Sequence, residues 1–317
     1  MISLRSTRYL LFLLLGWYFL SAFILPPCAY GDEEYIADGS YDELYDTGEV
    51  RRRLSYAKGK PNGPFNTFYR NGQLMGEGTY VDGELDGMAF GYFENGKPQL
   101  LMSYKKGKPD GLSKSFYPSG VLHTQSYYYQ GKLDGNFKEY RDNGILFFER
   151  EYRNGVVHGP VKEYAPQGHL LRSATFVDGV QEGIIREFTA DGKLAKAFEA
   201  HNGVPYGVIK SYYPSGRLKS ESFLKEGQLD NTFIKEYYES GELMKEINLV
   251  SGLRQGLYRE YYKDGALKVV GQYVDDKRDG LFKGFYNNGS LESEKTFKAG
   301  EKQGSYYYDE KGDIIIE

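Results

Sequence analysis

From Leu74 to Tyr80 the chain sets Leu74, Gly76, Gly78 and Tyr80 on one parity and Glu77 and Thr79 on the other. The alternation returns with Leu122, Thr124, Ser126 and Tyr128 against Gln125 and Tyr127. It returns again with Leu218, Ser220, Ser222 and Leu224 against Glu221 and Phe223. A two-residue period bounded by turn residues predicts β-strands with one face more apolar than the other. The residue that opens each strand is leucine in nine of twelve copies, with Val50, Pro98 and Ile314 as the others, so this position packs.

These strands are punctuated by glycine. Gly48, Gly72, Gly96, Gly120, Gly144, Gly168, Gly192 and Gly216 stand 24 residues apart, and Gly241, Gly265, Gly289 and Gly312 continue with single-residue adjustments. A second ladder runs between them through Gly59, Gly83, Gly107, Gly131, Gly155, Gly179, Gly203, Gly227 and Gly252, then Asp276 in the same slot, then Gly300. Two interleaved ladders mark a repeat array. Pairs such as Asn71-Gly72, Asn95-Gly96, Asp264-Gly265 and Asn288-Gly289 supply the positive φ of tight hairpins.

The second segment of each repeat carries an aromatic four residues before the next glycine of the first ladder. Leu44 and Phe68 open that series, and Tyr92, Phe116, Tyr140, Tyr164, Phe188, Tyr212, Tyr237, Tyr261, Phe285 and Tyr308 continue it. An apolar residue lies three positions earlier, as in Phe65, Phe137, Ile185 and Phe282. In a regular strand that offset places the two on opposite faces, so either the strand is bulged or both faces are partly apolar. Each repeat is then one β-hairpin, and the expected fold is all-β: an elongated antiparallel meander of about 11 serial hairpins with a period of roughly 24 residues. Roughly 23 strands at about 4.8 Å spacing would extend some 110 Å, on the order of a ribbon rather than a globule. A lone hairpin is marginal in water, so neighbouring copies must stabilise one another. Ile314, Ile315 and Ile316 form an apolar run at an expected sheet edge and are a candidate self-association site. The one break in the period, near residues 228–233, reads either as a tolerated loop insertion or as a bend.

Composition narrows the class. The chain has 317 residues with 40 Gly, 31 Tyr, 19 Phe and one Trp, too aromatic and too periodic for disorder. A net charge of −4 and no sequence-local Lys/Arg cluster do not suggest a nucleic-acid partner. Asp32 to Glu49 is acidic without a cation, an expected solvated segment of which residues 32–40 form a linker. Arg5 and Arg8 precede the uncharged run Tyr9 to Leu25, Pro26 and Pro27 follow, and Ala29-Tyr30-Gly31 resembles a cleavage site. Residues 1–31 thus read as an export signal, with a membrane anchor at residues 9–25 as the competing reading. Cys28 is the single cysteine, which excludes an intrachain disulfide and leaves lipid attachment as a third reading.

No catalytic constellation is visible. His123, His158, His169 and His201 fall in different slots of the repeat and do not converge as metal ligands would. Glu77, Glu149, Glu221 and Glu294 recur on the face opposite the leucines, the expected address of solvated carboxylates, and a ladder of similar groups supplies no acid–base pair. Gly-Lys pairs such as Gly131-Lys132 have no following helix and form no phosphate loop. No enzyme activity and no cofactor are expected. The aromatic series from Tyr92 to Tyr308 remains the candidate binding face.

Gln130-Gly131-Lys132-Leu133-Asp134-Gly135, with Lys235-Glu236-Tyr237-Tyr238-Glu239-Ser240-Gly241-Glu242-Leu243, resembles the MORN repeat family, and most its bacterial variant with a period near 24 residues. The resemblance covers residues 41–317. It implies serial hairpins and non-enzymatic roles: scaffolding, dimerisation, or attachment to membranes and lipids, with many bacterial members antitoxin-like. The resulting expectation is an exported, non-catalytic scaffold that binds a protein through its aromatic face. The alternatives are an antitoxin or immunity-type protein and an envelope-associated protein that contacts membrane or lipid.

Overall fold

A computed structural model describes residues 36–224, 227–229 and 232–315. The leader at 1–31, Cys28, the anchor candidate at 9–25, Ile316 and part of the 228–233 break lie outside those residues. The described residues form 26 strands and no helix. The chain divides into two units, Met1–Val156 and Val157–Glu317. In the first, strands run from Gly39–Leu44 to Leu146–Arg153, and in the second from Val156–Tyr164 to Ile314–Ile315, with successive strands antiparallel. Two strands beyond the expected number arise because Asp86 and Asp134 separate Glu84–Leu85 and Lys132–Leu133 from the longer segments that follow.

The strand Lys60–Phe68 shows how a repeat is built. Its second half pairs with Leu74–Val81 in the register Phe65↔Gly78, Asn66↔Glu77 and Thr67↔Gly76, then slips so that Phe68 faces Leu74 and Met75 is extra. Its first half meets Val50–Ala57, where Asn62, Gly63 and Pro64 together face Ser55. Gly63 takes φ +109°, which lets the chain make this bulge without a Cβ penalty. Both alternatives raised by the three-residue offset therefore hold. The strand is bulged, and both faces are partly apolar, because the segment Phe65 to Phe68 is itself regular.

One face holds the cores. In the first unit Leu54, Phe65, Tyr80, Leu85, Met102 and Tyr104 form a buried cluster. In the second, Ala174, Ile185 and Ala200 form one, and Tyr273, Phe282 and Phe297 another. Gly78 belongs to this face, and a Cβ there would lie 2.6 Å from the Phe65 ring, so the ring covers the glycine backbone.

The two glycine ladders make different turns. In the second ladder both central residues have positive φ, as in Lys58 (54°) and Gly59 (73°), the twist that two-residue hairpins favour. In the first, only the glycine does: Gly72 has φ +81°, whereas Asn71 accepts the Gln73 N–H on its Oδ1 at 2.9 Å. Asparagine there serves as a side-chain acceptor and not as a left-handed residue. Asp276, which replaces a ladder glycine, adopts φ +65° and is held by Arg254, whose backbone N–H and Nε both donate to Asp276 Oδ1, at 2.8 and 2.9 Å.

Neighbouring repeats are tied at both ends. At one end the ladder glycine donates to a carbonyl 22 residues back, as in Gly107 N–H to Leu85 O at 2.8 Å. The residue before it donates to an aspartate of the Lys-x-Asp-Gly motif, as in Asn154 N–H to Asp134 Oδ2 at 2.9 Å. The acidic stretch is partly ion-paired and not simply solvated: Glu43 meets Arg51, Asp42 meets Arg53 and Asp46 meets Arg70. The arginine hydrogen bonds to Asp42 and Asp46 hold both carboxyls below their usual range. At the other end of the chain Ile314 and Ile315 pair with Tyr308 and Tyr307 and are exposed.

Candidate functional site

The face opposite the cores is built from two rows two residues apart on alternate strands. The first is the aromatic series. Tyr92, Phe116 and Tyr140 in the first unit are half-buried, as are Tyr164, Phe188, Tyr212, Tyr237, Tyr261, Phe285 and Tyr308 in the second. The structure thus gives all ten predicted residues one environment. Several are fixed by carboxylates: Tyr92 Oη donates to Glu77 at 2.6 Å, Tyr237 to Glu221 at 2.7 Å, Tyr261 to Glu246 at 3.3 Å and Tyr308 to Glu294 at 3.2 Å. Glu77, Glu221 and Glu294 are therefore acceptors within the face and not merely solvated; Glu149 pairs with Lys138 at 3.5 Å.

Burial, and then the hydrogen bond to a carboxylate that would be repelled by phenolate, pushes the Tyr92 and Tyr237 hydroxyls up to about 12. Because folding favours the protonated phenols, their contribution to stability is complete below pH 10 and is lost as pH rises from about 10 to about 12. In a spectrophotometric titration near 295 nm, a late phenolate step is expected around pH 12. It should shrink in the variant Tyr92→Phe with Tyr237→Phe; titration of both with the bulk near pH 10 would contradict the assignment.

The second row escaped sequence reasoning. Two residues before the aromatics stand Lys114 and Lys138 in the first unit, and Lys162, Arg186, Lys210, Lys235, Arg259 and Lys283 in the second. These cations are 24 or 25 residues apart in sequence, so no linear cluster announces them; the detectable signal was the spacing, Lys/Arg-x-Tyr/Phe in eight successive repeats. Some are neutralised: Lys235 and Arg259 meet Glu246 at 3.7 and 3.6 Å, and Lys283 meets Glu294 at 3.0 Å. Arg186 and Lys210 are not. Register places Arg186 between Ser173 and Ala197, and Lys210 between Ala197 and Glu221, whose Oε1 already accepts the Tyr237 hydroxyl.

A third set of residues was also missed, one position past the aromatic row. Tyr45, Tyr69 and Tyr117 in the first unit donate their hydroxyls to the carbonyls of Phe68, Tyr92 and Tyr140 at 2.7 to 2.9 Å. Tyr213, Tyr238, Tyr262 and Tyr286 in the second do the same to Tyr237, Tyr261, Phe285 and Tyr308. These carbonyls sit where each strand pair slips, so the hydroxyl supplies a partner close to the irregularity in the ladder.

The histidines do not converge. His123 stacks on Tyr117 at 4.4 Å, His158 meets Asp178 at 3.2 Å and His201 meets Glu182 at 3.3 Å. Among the described residues no group of three or more His, Cys, Asp or Glu side chains could hold a metal, and no helix is long and apolar enough to cross a membrane.

Residues 61–82, 85–106, 109–130, 133–154, 205–226, 234–250, 254–275 and 278–299 match the MORN repeat variant, together more than half of the chain. No curated protein matches. Among solved structures the chain has a likeness to a crystal structure of TcdB2-TccC3-TEV, with 14% identity over 87% of this chain and 17% of that one, at a TM-score of 0.18. For the Tc holotoxin pore of Photorhabdus luminescens the figures are 13%, 90%, 16% and 0.18. For TcdB2-TccC3 without its hypervariable C-terminal region they are 13%, 87%, 18% and 0.19. The chain spans under a fifth of those chains, and the superpositions are too poor to carry a conclusion about fold or function.

Proposed function

Since the chain belongs to the MORN repeat variant family, a family of binding repeats, we propose that it is an exported, non-catalytic scaffold that recognises a protein partner through the aromatic and basic face. The observation that carries this reading is the environment of the aromatic row: its rings are half-buried, and several are held by carboxylates on their own face. A ring already locked in place loses little side-chain entropy when a partner covers it, and tyrosine adds large contact area with a polar rim. The adjacent cations supply orientation and charge complementarity. Export rests on the basic and apolar leader of residues 1–31.

A photoreactive phenylalanine analogue tests this in cells. Placed at Tyr212 or Phe285 it is expected to cross-link one discrete protein species from the envelope fraction. At Lys298, an exposed position beside a hairpin turn, it should yield at least tenfold less of the same adduct. No adduct at either aromatic position, or equal yield at Lys298, would overturn the reading.

A further inference from the structure

The repeats around residues 177–212 depart from the pattern in several slots at once. Residues 155–204 contain no match to the family repeat. Ala165 and Thr189 stand where other repeats place the carbonyl-bonding tyrosine. Tyr206 occupies the slot of Asp86, Asp110, Asp134 and Asp279, of which all four accept a backbone N–H of the next turn. Each change gives up a bond that holds neighbouring repeats together.

What replaces those bonds faces outward. Ile184 is 44% exposed, Val208 40% and Tyr206 46%. Ile184 lies two residues before Arg186, with Ile185 between them buried in the core, and Val208 lies two residues before Lys210. Tyr206 stacks edge-on against Phe223 at 6.0 Å, and Phe223 is the register partner of Val208, which puts all of them on the aromatic face. Arg186 and Lys210 therefore run between an apolar row on one side and Phe188 with Tyr212 on the other. Both are exposed, with no carboxylate contact.

We infer that this patch docks an acidic amphipathic helix of a protein partner, with carboxylates one heptad apart that meet Arg186 and Lys210. The inference rests on the reading of this face as the protein-binding face and deepens it. Consecutive repeats are two strands apart, about 9.6 Å, and seven residues of helix rise about 10.5 Å, so carboxylates at i and i+7 reach both cations from one side. Apolar residues at i+3 and i+4 then lie over Ile184 and Val208. A purely polyanionic ligand would leave the apolar row uncovered, which is why a protein segment fits better than a charged polymer. Glu199, opposite Ile184, offers the helix flank a single acceptor.

The probe is a stapled, fluorescein-labelled helical peptide with Glu at i and i+7 and Leu at i+3 and i+4, measured by anisotropy against the full chain. Wild type is expected to bind it. Arg186→Glu with Lys210→Glu, and separately Ile184→Ser with Val208→Ser, should each weaken binding at least tenfold with unchanged circular dichroism, since all four side chains are exposed. A control peptide with its two Glu eleven residues apart should bind at least tenfold more weakly. No binding by wild type, equal binding by the variants, or no preference for heptad spacing overturns the proposal. Binding to phosphatidylglycerol vesicles that requires Arg186 and Lys210, with the peptide inert, overturns it in favour of a lipid surface. If the cross-link at Tyr212 persists in the Arg186→Glu, Lys210→Glu variant, the scaffold reading stands and only this proposal falls.

Discussion

Replacing Phe282 by alanine is expected to cost about 3–5 kcal/mol and to melt the hairpins around it before the rest of the chain. The ring is 5% exposed, although it sits in a sheet with no second layer described over it. It is enclosed by its own face. Tyr273 packs edge-on at 5.7 Å and Phe297 at 5.3 Å, and the Arg278 guanidinium lies 5.3 Å from both the Phe282 and Phe297 ring centres. Beneath it is Gly271, where a Cβ would collide with the ring. Alanine removes the ring on which two other rings and a cation lean, and a thin sheet has nothing behind it to collapse into the gap. Phe285, three residues on and half-buried on the opposite face, is the internal control: Phe285→Ala should cost under half as much. Guanidinium denaturation of both variants measures this, and similar midpoint shifts would mean that the two faces share the packing load equally.

The contrast between those two phenylalanines marks how far the sequence could be read. Alternation and the two glycine ladders sufficed for strands, hairpins and the slot of every aromatic, because those signals are local or strictly periodic. Register was not legible: Phe65 and Phe68 were separable onto two faces only once the bulge at Gly63 and the slip at Phe68 were seen. A slip of one residue reverses what a side chain faces, and nothing in composition records it. The aromatic row was found because each member is individually conspicuous. The basic row was not, since Arg186 and Lys210 are single charges in a polar stretch until the sheet places them in adjacent repeats. Compensation is equally invisible in one dimension: Asp276 looks like a lost turn glycine, whereas Arg254, 22 residues earlier, holds it in the left-handed conformation. Glu77 and Glu221 looked solvated because the tyrosines that bond them lie 15 and 16 residues away.

The same logic predicts where the second unit is weakest. Tyr213, Tyr238, Tyr262 and Tyr286 each donate a hydroxyl to a carbonyl 22 to 24 residues ahead, and phenylalanine keeps the ring while deleting only that bond. A net hydrogen bond contributes about 0.5–1.5 kcal/mol, so the fourfold Tyr→Phe variant should lose roughly 2–6 kcal/mol. The loss is expected to be directional. In a repeat array stability is the sum of each copy and its contacts with the next, so weakening only the contacts lowers cooperativity more than it lowers any one hairpin. Hydrogen exchange should therefore show faster amides in residues 205–308 of the variant, with residues 39–153 unchanged. Wild type already contains the natural experiment, since Ala165 and Thr189 occupy this slot without a tyrosine. Amides in 157–204 should exchange faster than those in 232–308 before any substitution is made. An even profile across the second unit, together with an unshifted melting temperature in the fourfold variant, would show that the strand ladders alone hold neighbouring repeats together and that the hydroxyls are incidental.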